Sequence, residues 1–320
     1  MGEVFAGRYE LLDPIGEGGM GTVWLAWDQR EGVHRAAKML RHSDAASLIR
    51  FVREQSFRID SEHCVSPLGW SAEDDRVLFT MDLVRGGSVH SLLKDYGPLP
   101  GQWAACLLDQ LLVALDAVHS AGIVHRDVKP ANLLLEPTGL GRPHLRLSDF
   151  GIAIAAEEPR LTEAYQLLGT PGYRAPEQGV MSDPNPAQDL WAAGVVLMEM
   201  LTATRPPAES GGLAAVAPDG VDQGLWNVAR SLTSRDPALR PASALDARRL
   251  LAQTGQVPPE GVAPDDEGRQ VEVLEHLDLP IQPPAQAPAR TPWARSAVLG
   301  MLATIVGLGL LSTGVWMLFS

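Results

Sequence analysis

Cysteine is nearly absent. The 320-residue chain has two, Cys64 and Cys106, far apart and in no metal-ligand spacing, which excludes a disulfide framework and a zinc site. They read as buried thiols in a reducing compartment. Basic side chains are also scarce, 26 Lys and Arg against 39 Asp and Glu for a formal charge of −13, so a basic nucleic-acid-binding domain is not expected. The opening stretch MGEVFAGRYELLDPIG lacks a basic region leading into an apolar core, and no secretory signal is read there. The folded part is therefore expected in the cytoplasm. Apolar mass is not lacking: 45% hydrophobic against 20% charged residues excludes a wholly disordered chain and predicts a folded core.

Charge disappears altogether from 296–320, SAVLGMLATIVGLGLLSTGVWMLFS. At about 1.5 Å per residue this run spans a hydrocarbon core of roughly 30 Å, and it is apolar all round, so it reads as one transmembrane helix. Arg290 and Arg295 precede it, which puts the N-terminal part on the cytoplasmic side. Gly300, Gly307 and Gly314 recur along it and offer a small-residue face for a homodimer. Residues 255–295, with PPEGVAP and LPIQPPAQAPARTP, read as an extended juxtamembrane linker. Within that linker Val271, Val273, Leu274 and Leu277 could dock as a helical turn.

The remaining chain begins with alternating strand signals. Tyr9 to Leu12 and Thr22 to Ala26 flank a glycine-rich loop with Gly16, Gly18 and Gly21. A dinucleotide-binding loop would open a helix, whereas this one leads into a strand, which suits a flap over a nucleoside triphosphate. Lys38 then sits in a strand of small and apolar residues, and Glu54 lies on a helical pattern over 45–58 as its carboxylate partner. An apolar strand over 76–84 ends at Arg85-Gly86-Gly87-Ser88, a natural hinge between two lobes. Beyond it the apolar spacing becomes helical, most strongly over 104–119.

His125-Arg126-Asp127-Val128-Lys129-Pro130-Ala131-Asn132, then Asp149-Phe150-Gly151, then Ala175-Pro176-Glu177 complete an ordered set with the glycine loop, Lys38 and Glu54. That order and its strand and loop contexts are the protein-kinase signature set. GIVHRDVKPANLLL at 122–135, SDFGIA at 148–153, GTPGYRAPEQ at 169–178, DLWAAGVVLMEMLT at 189–202 and RDPALRP at 235–241 resemble the bacterial Hanks-type (eukaryotic-like) serine/threonine kinases of the membrane-anchored, receptor-like kind. The resemblance covers about residues 8–254.

It implies an α+β bilobal fold: an N-terminal lead at 1–7, a β-rich N-lobe at 8–84, a helical C-lobe at 85–254, and the linker and membrane helix after them. By the resemblance, Asp127 orients the acceptor hydroxyl and takes its proton, Lys129 neutralises the γ-phosphate, and Lys38, held by Glu54, pairs the α- and β-phosphates of ATP. Gly16, Gly18, Gly21, Val23, Ala36, Met81, Asp82, Leu83 and Val84 would enclose the nucleotide. Asn132 and Asp149 would ligate Mg²⁺, or Mn²⁺ in its place. Thr162 is the expected regulatory phosphosite, Thr170 part of the substrate loop, and Glu177 with Arg240 a buried bracing pair. Expected partners are cytoplasmic proteins bearing serine or threonine, with the enzyme held at the cell membrane by a single pass. Three departures motivate an alternative, a nucleotide-binding signalling scaffold with little transfer: Arg35-Ala36-Ala37 before the lysine, Arg58 one turn after Glu54, and Ala164 where relatives carry a second threonine.

Overall fold

The computed structural model describes residues 2–18, 21–40, 59–74, 76–149, 172–178, 184–204, 216–265, 267–277 and 279. Glu54, Arg58, Phe150, Thr162, Ala164, Thr170 and the apolar run 296–320 lie outside the described residues. The whole of the unit Pro280–Ser320 lies outside them too, and every described residue belongs to the compact unit Met1–Leu279.

The strand signals close into one antiparallel sheet. β1 (Val4–Phe5), β2 (Tyr9–Gly18), β3 (Gly21–Asp28), β4 (Val33–Leu40), β5 (Pro67–Glu73) and β6 (Arg76–Met81) lie in the order β1-β2-β3-β4-β6-β5. Alternation along the strands buries Phe5, Tyr9, Leu11, Ala26, Ala37 and Leu78 as a small core of the N-lobe. The glycine-rich stretch is the turn end of the β2–β3 hairpin, closed by the Gly18–Gly21 pair.

The second lobe is built on helices. α1 (Val89–Tyr96) starts at a reciprocal cap, in which Ser91 N donates to Ser88 Oγ and Ser88 N donates to Ser91 Oγ. α2 (Gly101–Ser120) is apolar on nearly every face, with Trp103, Leu107, Leu108, Leu111, Leu112 and Leu115 essentially inaccessible. Among the described residues it alone is long and apolar enough to cross a membrane, and here it is the centre of the C-lobe core. A two-stranded ribbon, β7 (Leu133–Leu135) and β8 (Leu145–Leu147), packs on it. α3 (Pro186–Thr202), α4 (Gln223–Leu232) and α5 (Ala244–Ala252) complete the lobe.

The expected spacer after Thr254 needs correction, because its first half is part of this body. Arg142 Nη1 donates to the carbonyls of Pro258, Pro259 and Val262 at 3.0–3.2 Å, and Arg269 Nη1 donates to Pro98 O at 2.6 Å. Val271 and Val273 are 1% exposed. Val273 exchanges backbone hydrogen bonds with Gly139 at 3.0 Å in an extended bridge, not a helical turn. The strap then reaches the hinge, where His276 N donates to Arg85 O at 2.8 Å and Glu275 pairs with Arg85. A proline-rich composition predicts extension; it does not reveal that two valines find a groove.

Candidate active site

Lys38 is placed by the register of three strands, opposite Val23 on β3 and Phe79 on β6. Side chains alternate across a strand, so Lys38 and Ala36 share one face, and Ala36 lies opposite Met81 at the start of the 81–84 segment. Gly16 faces Val23 in the neighbouring pair. The Lys38 ammonium is nearly buried and lies 2.8 Å from Asp149 Oδ1. Sequence reasoning pairs this lysine with Glu54 and gives Asp149 to a metal; the direct contact between the N-lobe lysine and the C-lobe carboxylate is a finding of the tertiary structure.

The loop between α2 and β7 gathers the other groups. Asp127 Oδ2 accepts from Lys129 Nζ at 2.7 Å and from Asn132 Nδ2 at 3.0 Å. Asn132 Nδ2 also donates to Asp127 O at 2.8 Å. The amide nitrogen is thus committed to Asp127, which leaves Oδ1 as the amide's acceptor atom. That oxygen and the Asp149 carboxylate are hard donors of the kind Mg²⁺ takes, a cation that relies on one or two protein ligands plus phosphate oxygens.

This loop is held from beneath by buried polar groups. Asp189, 1% exposed, accepts from the backbone N–H of His125 at Oδ2 and of Arg126 at Oδ1, each at 2.8 Å, and from His119 Nε2 at 2.8 Å. These charge-assisted bonds secure Arg126 in the left-handed region, φ 64°. His125 is fully buried. Its Nδ1 accepts from Asp127 N at 3.2 Å, so Nε2 carries the hydrogen donated to Ser148 O at 2.9 Å. Ser148 N and Oγ both donate to Asn132 O, at 2.9 and 3.1 Å.

Ser148 therefore locks the residue before Asp149 to both ends of the Asp127 loop. Sequence reasoning assigns it no role, and its only sequence signal is its place directly before Asp149. Lower in the lobe, Arg240, its side chain inaccessible, makes a bidentate pair with Glu177 at 2.6 and 2.8 Å and lies over the Trp191 ring, the bracing contact expected. Arg126, Tyr173, Arg174 and Gln188 line a cavity beside Asp127.

Comparison with known proteins is consistent with this arrangement. A model described as the protein kinase domain matches residues 9–244. The serine/threonine-protein kinase PkaA of Streptomyces coelicolor is 35% identical over 317 residues, 91% of this chain and 57% of that protein. PknA of Mycobacterium tuberculosis is 33% identical over 292 residues, covering 82% of this chain and 67% of that protein. A kinase named drp72 from Corynebacterium efficiens is 31% identical over 323 residues, with 94% of this chain and 58% of that protein covered. The chain thus spans well under two thirds of the length of two of these three relatives.

Proposed function

Because this chain belongs to the protein kinase family, among bacterial serine/threonine kinases, we propose that it transfers the γ-phosphate of ATP to serine and threonine hydroxyls of proteins. The observation that carries this reading is the joint placement of Lys38 against Asp149 and of Asp127 with Lys129 and Asn132. Phosphoryl transfer is mostly positioning and charge neutralisation, which is what such a set provides.

In the proposed step Asp127 orients the acceptor hydroxyl and takes its proton as the oxygen–phosphorus bond forms. The bond to the β-phosphate oxygen breaks and ADP leaves. Lys129, already tied to Asp127, faces the transferring phosphoryl charge, and Lys38 holds the α- and β-phosphates. Asn132 and Asp149 would hold Mg²⁺, which would neutralise phosphate charge there. The hairpin with Gly16, Gly18 and Gly21 covers the phosphates, where the lack of Cβ lets backbone N–H groups approach. Val23, Ala36 and residues 81–84 enclose the adenine.

The uncharged run 296–320 after Arg290 and Arg295 supports a single membrane pass with the kinase on the cytoplasmic side. Tethering concentrates copies in the membrane plane and favours autophosphorylation in trans, with Thr162 as the site and the Arg126 cavity as the place its phosphate docks. The scaffold alternative draws partly on Arg35. In the structure that guanidinium pairs with Asp82 at 2.6 Å and Glu31 at 2.9 Å, outside the cleft face of β4, so it does not obstruct the lysine.

The test is transfer of labelled γ-phosphate to protein by the purified chain with Mg²⁺. Lys38→Met and Asp149→Asn are each expected to lower the rate by about 100-fold or more, with phosphothreonine at Thr162 mapped only in the active protein. Nucleotide binding with no transfer in the unaltered chain would instead establish the scaffold.

A further inference from the structure

The two strands that bring Lys38 and Asp149 together are tied a second time, behind the hinge. Arg35 stands three residues before Lys38, and Arg146 three residues before Asp149. Both reach the carboxylate of Asp82: Arg35 Nη1 to Oδ1 at 2.6 Å and Arg146 Nη2 to Oδ2 at 3.4 Å. Asp82 directly follows Met81, whose Cα partner is Ala36. One carboxylate therefore links the N-lobe strand with the lysine, the segment between the lobes, and the C-lobe strand that leads to Asp149. Alternation puts Arg35 on the face of β4 opposite Ala36 and Lys38.

Each arginine is ordered by further partners. Arg35 Nη2 holds Glu31 at 2.9 Å, while Arg146 donates to Cys64 O at 3.0 Å and to Glu136 at 3.4 Å. An isolated exposed pair contributes little because two long side chains must be ordered for it; here that ordering is shared across a network. The side chains of Arg35, Asp82 and Arg146 are 21%, 41% and 17% exposed, so dissolved ions can screen them.

We propose that Arg35, Asp82 and Arg146 form an interlobe clasp that fixes the direction of the 81–84 backbone and so sets affinity for the adenine nucleotide. Arg35 and Arg146 are positioning residues in this scheme and touch no substrate. The inference rests on reading 81–84 as the adenine edge. A front contact, Lys38 with Asp149, and a rear one, Arg35 and Arg146 with Asp82, then hold the same pair of strands three residues apart.

The test uses the full chain, with steady-state phosphate transfer at about 0.05 M and about 0.5 M NaCl and adenosine as a competitive inhibitor. Adenosine is uncharged, so its inhibition constant carries no direct phosphate term. Arg35→Met is expected to raise both the ATP KM and the adenosine Ki by about 3- to 10-fold while kcat moves less than about twofold. Arg35→Lys should restore most of the loss, and Arg146→Met should act in the same direction. In the unaltered chain adenosine Ki should rise with salt; in Arg35→Met, where only the Arg146–Asp82 pair remains, the rise should be smaller. Asp82→Asn should shift Ki by a similar factor, and adding Arg35→Met to it should change nothing further, the mark of coupled residues.

An adenosine Ki equal to that of the unaltered chain at both salt levels in Arg35→Met would overturn the clasp, as would full additivity with Asp82→Asn. Ala36→Leu, which narrows the cleft opposite Met81, shows which idea has failed. If it weakens adenosine while Arg35→Met does not, the clasp alone is wrong. If neither moves Ki, the adenine edge lies elsewhere and the clasp falls with it. Melting curves identify any variant that fails to fold, and the salt series on the unaltered chain needs no variant.

Discussion

Two side chains at the site carry backbone angles that L-residues rarely adopt, Arg126 at φ 64° and Asp149 at φ 68°. Each such residue costs on the order of 1–3 kcal/mol and persists only where its surroundings over-determine it. For Arg126 the determinant is Asp189, whose two oxygens grip consecutive backbone donors; for Asp149 the Lys38 ammonium and the locked Ser148 are the nearest constraints. The cysteines lie away from the site, both buried. Burial pushes the Cys64 and Cys106 thiols up to about 11, so little thiolate exists near neutral pH and reagent cannot reach it. A thiol-specific reagent at about pH 7.5 should modify the native chain at least about 100-fold more slowly than free cysteine. Both thiols should react at once in guanidinium chloride, and a native thiol reacting at the free rate would contradict the burial of both.

Among the elements, glycines matter by proximity more than by flexibility. Arg85-Gly86-Gly87 reads as a hinge between two lobes, and Gly86 N donates to Leu135 O at 2.8 Å while a Cβ there would lie 2.5 Å from that same oxygen. The pair is docked tightly on β7. In the middle of α3, a Cβ on Gly194 would stand 2.7 Å from Leu232 Cβ and 2.8 Å from Thr233 Cγ2, so this residue sets how closely α3 and α4 approach. Replacing glycine by alanine in a helix interior ordinarily gains about 1 kcal/mol, whereas forcing apart a packed contact loses about 1–3 kcal/mol. Neither contacting atom is the free end of a flexible chain, so the loss should win. Gly194→Ala should lower the melting temperature and Gly194→Val should lower it further, by about 3 °C or more. A rise in melting temperature with Gly194→Ala would show that the two helices separate easily.

At the scale of the molecule, the folded body does not end where the family match ends. That match stops at residue 244, while the compact unit runs to Leu279 because the strap covers the C-lobe as far as Arg85. Burying Val271 and Val273 contributes up to about 1.5–3 kcal/mol each, before the ion pair and the arginine-to-carbonyl bonds. A chain cut after Thr254 should therefore melt at least about 4 °C below one cut after Leu279, and the backbone of the strap itself should resist protease in the longer chain. Equal melting temperatures would mean that the strap adds no stability to the lobe it covers.

Legibility followed the range of the interactions. Lys38, Asp127, Lys129, Asn132 and Asp149 stand out in the sequence because the kinase signature set places those residue types in fixed local contexts, and each context, a strand, a loop or a glycine turn, is set by neighbours a few residues away. The bilobal order of strands then helices was readable for the same reason, since periodicity is a local signal. Composition did mislead once, over 255–277, where proline marks extension but says nothing about docking. Only the tertiary structure paired Lys38 with Asp149, residues 111 positions apart, and turned Arg35 from an anomaly into a partner of Asp82. It also set Ser148 between His125 and Asn132 and closed the strap onto Arg85. Such contacts depend on where distant segments meet when apolar surface is buried, and no short-range pattern encodes that meeting.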